Sequence, residues 1–182
     1  MKKNRGITMI SLAVMIIILM ILATITMYYG EVSIKEAKLQ DLKTNMLLIQ
    51  ASLRSDIEKF HFETNNLDEN TKNSKKSEYL KGKPLTDSSS AEANDVFEEI
   101  ERTYKIKECI NEDYPQVKGN FDYYVLSSTD LEQLGLNDVQ SDKENGFYIV
   151  AYSMNPMYSN IVEIINTNGY SENYSLKRIQ AL

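Results

Sequence analysis

The chain has 182 residues, of which 42% are hydrophobic, and its formal net charge is −6. This length is enough for one modest domain and a membrane segment, but it is too short for two full domains. The acidic balance argues against direct nucleic-acid binding, because phosphates repel a negative surface. Cys109 is the only cysteine, which excludes an intrachain disulfide.

An apolar segment occupies most of the first thirty residues. Residues 7–29 carry no charge and consist mainly of Ile, Leu, Met, Ala and Val. As a helix rising 1.5 Å per residue, they would span about 34 Å, enough to cross a bilayer's hydrocarbon core. Lys2, Lys3 and Arg5 precede the segment, so the positive-inside rule places the N-terminus in the cytoplasm. The sequence therefore predicts a single-pass membrane protein with an extracellular head.

Three interpretations of this segment stay open from the residues alone. A removed secretory signal peptide would have an apolar run of roughly 7–15 residues and a small-residue cleavage site. The present run is longer, and its C-terminal end, Tyr28-Tyr29 followed by Gly30-Glu31, lacks that site. An uncleaved single-span anchor fits the length, and so does an anchor that is processed only on its cytoplasmic side.

Residues 2–12, KKNRGITMISL, resemble the class III signal peptide of type IV pilins and pseudopilins, in the KGIT-type variant of Gram-positive pilin-like proteins. The family pattern is a short basic leader ending in Gly, then Phe-Thr-Leu-Ile-Glu and a long apolar helix. The resemblance implies that a prepilin peptidase cleaves after Gly6 and that Ile7 becomes N-methylated. It also implies a structural subunit of a type IV filament or a type II-secretion-like assembly. Its implied partners are the membrane, the peptidase, other pilin-like subunits and an assembly platform.

Two residues depart from the family pattern. Ile7 replaces the usual Phe at the first mature position, which is a conservative apolar change. Ser11 replaces the Glu at the fifth mature position, which in the family is thought to pair with the N-terminal amine of a neighbouring subunit. A hydroxyl group cannot neutralise an ammonium group, so Ser11 favours a minor or atypical subunit. The alternative is a membrane-anchored extracellular binding module that never polymerises.

A stripe of apolar residues at helical spacing follows the membrane segment. It predicts one helix from about Ile7 to His61, with residues 7–29 in the membrane or filament core and 30–62 as an amphipathic continuation. We expect the stripe to pack against the C-terminal head, with a dimerising coiled coil as the alternative. Its members are Leu39, Leu42, Met46, Ile49, Leu53, Ile57 and Phe60.

The remainder of the chain predicts an exposed polar loop and an α+β head. Residues 63–94 are rich in Asn, Ser, Lys, Asp and Glu, which is typical of a solvated, partly disordered loop. The head, residues 95–182, should contain about three antiparallel strands that shield the helix, the arrangement found in pilins. The predicted elements are a helix over 95–110 capped by Asp95, strands over 121–126, 146–152 and 160–165, and a short helix over 128–136 closed by Gly135.

Residues suited to catalysis or metal binding are few. His61 and Cys109 are each the only residue of their type. The phosphate-binding motifs G-x-x-x-x-G-K-[ST] and G-x-G-x-x-G do not occur. Residues 138–146 contain several oxygen ligands, but their spacing differs from that of an EF-hand, and Lys143 would oppose a cation. We therefore expect no enzymatic activity, no cofactor and no metal, with calcium binding at 138–146 as the alternative to a solvated loop.

Overall fold

The computed structural model describes the backbone of residues 4–117 and 119–182, and the side chains of these residues except 4–10 and 28. The chain divides into two compact units, Met1–Asp41 and Leu42–Leu182. In the described part, the helices are α1 (Asn4–Thr64), α2 (Glu69–Tyr79), α3 (Ala91–Tyr104), α4 (Ile106–Asp113), α5 (Ser128–Gln133) and α6 (Leu176–Gln180). The strands are β1 (Lys83–Pro84), β2 (Phe121–Leu126), β3 (Tyr148–Ser153), β4 (Val162–Tyr170) and β5 (Asn173–Ser175).

The fold is α+β, as the sequence predicts, with a long N-terminal helix and a five-stranded antiparallel sheet. Helix α1 is unbroken over 61 residues, because its sequence contains no proline to remove a backbone donor. It ends at Thr64, three residues beyond the predicted end at His61. The Thr64 hydroxyl group donates to the Phe60 carbonyl oxygen at 2.6 Å.

The sheet has the order β1-β2-β3-β4-β5, so every strand pairs with its neighbours along the chain. Tyr124 pairs with Val150, and Ile149 pairs with Ile165. The three predicted strands correspond to β2, β3 and β4. The edge strands β1 and β5 were not predicted, because segments of two and three residues are too short to show an alternating pattern.

Helices cover both faces of the central strand, and all six residues of β3 are buried. Ile149 and Ala151 belong to an apolar cluster that also contains Phe97 of α3 and Ile110 of α4. Since side chains alternate along a strand, the residues between them face the opposite layer. That layer is the second half of α1, where the Gln50 amide donates to the Val162 carbonyl oxygen at 2.7 Å.

The prediction of a polar loop over 63–94 is wrong. This stretch contains α2, β1, a 3-10 turn and the start of α3. None of the α2 residues is buried, so the helix leaves no apolar stripe in the sequence. Asp68 instead caps it by accepting a hydrogen bond from the Thr71 backbone nitrogen at 3.1 Å.

The predicted single helix over 95–110 is also incorrect in its bounds. Helix α3 begins at Ala91, so Asp95 lies inside the helix and is not its N-cap. Lys105 adopts a left-handed conformation, with φ 50°, and separates α3 from α4. The capping box of this head lies instead at the start of α5, between Ser127 and Asp130.

Candidate membrane-anchor and assembly segment

The first half of α1 presents apolar side chains to its surroundings along its whole length. Exposed fractions run from 45% for Ile16 to 76% for Met27, whereas large apolar residues in a water-soluble domain are mostly buried. In the described residues this is the one helix long and apolar enough to cross a membrane. The segment therefore suits a lipid bilayer or an apolar helix bundle, and it identifies the chain as a candidate single-pass membrane protein.

Hydroxyl groups within this segment bond to the helix itself. The Thr24 and Thr26 hydroxyl groups donate to the carbonyl oxygens of Met20 and Leu22, each at 2.8 Å. In hydrocarbon an unsatisfied hydroxyl group is costly, and bonding to the carbonyl four residues earlier removes that cost. Ser11, at the fifth position after Gly6, is exposed on the same helix.

Charge returns immediately after the apolar segment. The carboxylate of Glu31 pairs with the Lys35 ammonium group one turn later, at 2.7 Å, and both side chains are well exposed. Hydrogen bonding to Lys35 lowers the pKa of Glu31. Gly30 lies between the apolar segment and the charged part of α1 that begins at Glu31. A Cβ atom added at Gly30 would have no atom within 4 Å. Residues 7–29 thus form an uncharged run between Arg5 and Glu31, long enough for a membrane span.

The predicted processing residues are only partly described. Gly6 and Ile7 have helical backbone conformation in α1, and the side chains of Ile7 and Arg5 lie outside the described part. Lys2 and Lys3 lie outside the described residues altogether.

The predicted packing stripe changes in burial along α1. Leu39 and Leu42 are partly exposed, and every later member has at most 3% of its surface exposed. Those later members are Met46, Ile49, Leu53, Ile57 and Phe60. They lie in the unit that contains the sheet, where they form the helix side of its core.

Two polar side chains on α1 fix the position of the helix over the sheet. The Gln50 amide reaches the Val162 carbonyl oxygen, and the ring Nε2 atom of His61 donates to the Ser153 carbonyl oxygen at 2.8 Å. Burial of the imidazole ring lowers the pKa of His61, which favours the neutral form of the ring. Both contacts join residues at least 92 positions apart, so no local sequence signal could have revealed them.

Comparisons with protein-family models, with curated proteins and with solved structures found no match for this chain.

The oxygen-rich stretch 138–146 forms a capped turn. The Asp142 carboxylate accepts hydrogen bonds from the backbone nitrogens of Glu144 and Asn145, at 2.9 and 2.8 Å. The Asn145 side-chain amide also donates to it. These bonds lower the pKa of Asp142. Within the described part of the chain, no group of three or more His, Cys, Asp and Glu residues is arranged to hold a metal ion.

Proposed function

We propose that this chain is a structural pilin-like or pseudopilin subunit, of the minor class, that a prepilin peptidase processes for a type IV filament or a type II-secretion-like assembly. One observation carries the proposal. A single helix, α1, is apolar and exposed in its first half and forms part of the core of an α+β head in its second half. The KGIT-type leader next to this helix supports the same conclusion.

The work of such a subunit is mechanical. The exposed apolar residues between Leu12 and Met27 hold the chain in the bilayer until subunits are extracted, and then pack against the same segments of neighbouring subunits. Val, Ile, Leu and Met dominate these positions, so exchanging lipid contacts for helix contacts requires no desolvation of charge. The proposed topology places the basic leader in the cytoplasm and the head outside the cell.

Mass spectrometry of the N-terminus, on the full chain purified from cells with an active prepilin peptidase, tests the processing step. We expect loss of residues 1–6 and a methylated amine on Ile7. Gly6→Val should retain the leader, because a branched side chain is added next to the scissile bond. Gly30→Ala is the matched control, since space is open at that position, and it should be processed normally. An intact leader in the wild-type chain would refute processing.

Ser11 favours the second candidate, a non-polymerising membrane-anchored binding module. Single cysteines placed between Leu12 and Leu22, in a Cys109→Ala background, distinguish the two candidates by disulfide cross-linking in native membranes. Polymerisation predicts cross-links that recur with helical spacing along the segment. Monomers at every position, in cells that carry the assembly machinery, would establish the second candidate and overturn the first.

A further inference from the structure

Two helical regions of the head carry charges of opposite sign. Residues 69–83, which form α2, the turn after it and the first residue of β1, contain five lysines and two glutamates, for a net charge of +3. Residues 91–113, which form α3 and α4, contain eight acidic and three basic residues, for a net charge of −5. We call these the basic surface and the acidic surface. The two segments therefore carry net charges of opposite sign.

The two surfaces lie on opposite sides of the sheet. Lys76 of α2 pairs with Asp122 of β2 at 2.6 Å, and the Tyr79 ring lies 6.4 Å from the Phe60 ring of α1. These contacts place the basic surface on the α1 side. Phe97 of α3 packs in the cluster on the other face of the sheet, which places the acidic surface there.

Each surface keeps charges that no neighbour in the same head neutralises. On α3, Glu92, Asp95 and Glu99 are exposed and share one helix face, opposite the buried Phe97. They make no ion pair among the described residues. Lys75 and Lys81 on the basic surface likewise make no ion pair with another described residue, whereas Lys72 and Lys76 are paired within the head.

We propose that the basic surface of one head docks on the acidic surface of a second copy of this chain. The charge complementarity identifies the occupant, because the acids on one face of α3 match the lysines of the basic surface that make no ion pair, Lys75 and Lys81. Since the two surfaces are different and lie on opposite sides, the contact is heterologous, so it can join two or more copies of the chain. It rests on the proposed function, in which the membrane segment concentrates the copies. Exposed ion pairs are individually weak, so the contact needs that concentration.

A two-cysteine experiment tests the geometry with the full chain in native membranes. In a Cys109→Ala background, Glu78→Cys places a thiol on the basic surface, one turn from Lys75, and Thr103→Cys places one on the acidic surface, one turn from Glu99. Cells co-expressing both variants should yield the mixed dimer on mild oxidation. Each variant expressed alone should yield at most a tenth as much dimer. Equal yields from all three cultures, or none from any, would overturn the proposal.

Charge reversal tests the chemistry of the same cross-link. Lys75→Glu with Lys81→Glu, introduced into the Glu78→Cys copy, should lower the mixed-dimer yield about tenfold, since about 1.4 kcal/mol corresponds to a factor of ten. Asp95→Lys with Glu99→Lys in the Thr103→Cys copy should restore it. Lys43→Glu with Lys143→Glu is the matched control, because both lysines lie outside the two surfaces, and it should leave the yield unchanged. If the lysine reversals lower the mixed-dimer yield and the acid reversals do not restore it, the lysines bind another partner, such as an anionic polymer, and the proposal is refuted.

Cross-links within the apolar segment separate this contact from the proposed function. If cysteines between Leu12 and Leu22 cross-link and the mixed head dimer does not form, the head contact is refuted and the subunit proposal stands. If neither forms, both are refuted.

Discussion

The buried carboxylate of Glu163 accepts a hydrogen bond from the Tyr114 hydroxyl group, with 2.6 Å between the two oxygens. Its other oxygen accepts from the backbone nitrogen of Lys177 at 2.9 Å, and the Glu163 side chain has no exposed surface. One acidic residue of β4 thus joins the end of α4 to the start of α6. Burial raises the pKa of Glu163, while the bonds from Tyr114 and Lys177 oppose that effect.

This raised pKa predicts how the stability of the head changes with pH. The folded state binds the Glu163 proton more tightly than the unfolded state does, so acidification from pH 7 through the folded pKa should stabilise the wild-type head relative to Glu163→Gln. The measurement is urea unfolding of the full chain in detergent micelles, followed by tyrosine fluorescence at pH 7 and pH 5. Glu99→Gln, at an exposed site, is the control. An equal stability difference between wild type and Glu163→Gln at both pH values would contradict the prediction.

His61 should give pH dependence of the opposite sign. Burial lowers its pKa, so the unfolded chain binds a proton more readily, and the stability that neutral His61 supports is lost as the pH falls below about 6.5. His61→Gln keeps an N–H donor for the Ser153 carbonyl oxygen and removes the titration. When the pH is lowered from 7 to 5, the free energy of unfolding of the variant should therefore rise relative to that of the wild type in the same urea experiment. Since the chain has one histidine, parallel pH profiles for the two proteins would exclude this role.

The apolar stripe of α1 should contribute to stability only where it is buried. Leu53 has no exposed surface, whereas Leu48, on the same helix, is 48% exposed. Leu53→Ala should lower the free energy of unfolding by about 2–5 kcal/mol, because it leaves a cavity in the core. Leu48→Ala is the control and should change it by less than about 0.5 kcal/mol in monomeric, detergent-solubilised protein. Similar losses in the two variants would mean that the stripe does not form the core.

The elements with a regular apolar pattern, which are the membrane segment, the stripe of α1 and the central strands, could be predicted from the sequence. Each of them follows from a single physical requirement. A bilayer requires a long uncharged helix, which residues 7–29 supply. A helix that packs on a sheet requires a repeat of three or four residues, and Met46, Ile49 and Leu53 keep it. The candidate membrane segment and the central strands were therefore accessible to sequence reasoning, since their apolar residues are contiguous or regularly spaced.

Elements that depend on distant partners could not be predicted in the same way. Helix α2 is held by the cap at Asp68 and by contacts such as Lys76 with Asp122, which are 46 residues apart. Glu163, which lies among the apolar residues Val162, Ile164 and Ile165, signals a buried carboxylate, but its partner Tyr114 lies 49 residues away. The basic and acidic surfaces can be counted in the sequence, yet only the fold places them on opposite sides of the sheet.

Two glycines with the same backbone conformation should respond differently to a methyl group. Gly146 has φ +86° and Gly135 has φ +84°, so alanine is strained at both positions. At Gly146 the added Cβ atom would lie 2.5 Å from the Asn166 side-chain oxygen and 2.9 Å from the Asn168 backbone nitrogen, whereas Gly135 faces open space. The Asn166 oxygen also accepts from the backbone nitrogens of Asn168 and Gly169, at 3.0 and 3.2 Å, so it cannot move away without losing both bonds.

Gly135→Ala should therefore cost only its backbone strain, about 1 kcal/mol. Gly146→Ala should cost more than about 2 kcal/mol, because the overlap with Asn166 adds to a similar strain. Urea unfolding of both variants beside the wild-type chain gives the two values under one condition. Adding Asn166→Ala to each variant locates the cause. In that background, the loss of unfolding free energy caused by Gly146→Ala should be smaller, and the loss caused by Gly135→Ala should be unchanged. If the two glycine variants were equally destabilised, backbone conformation alone would account for both, and the close approach of Asn166 to Gly146 would have no energetic role.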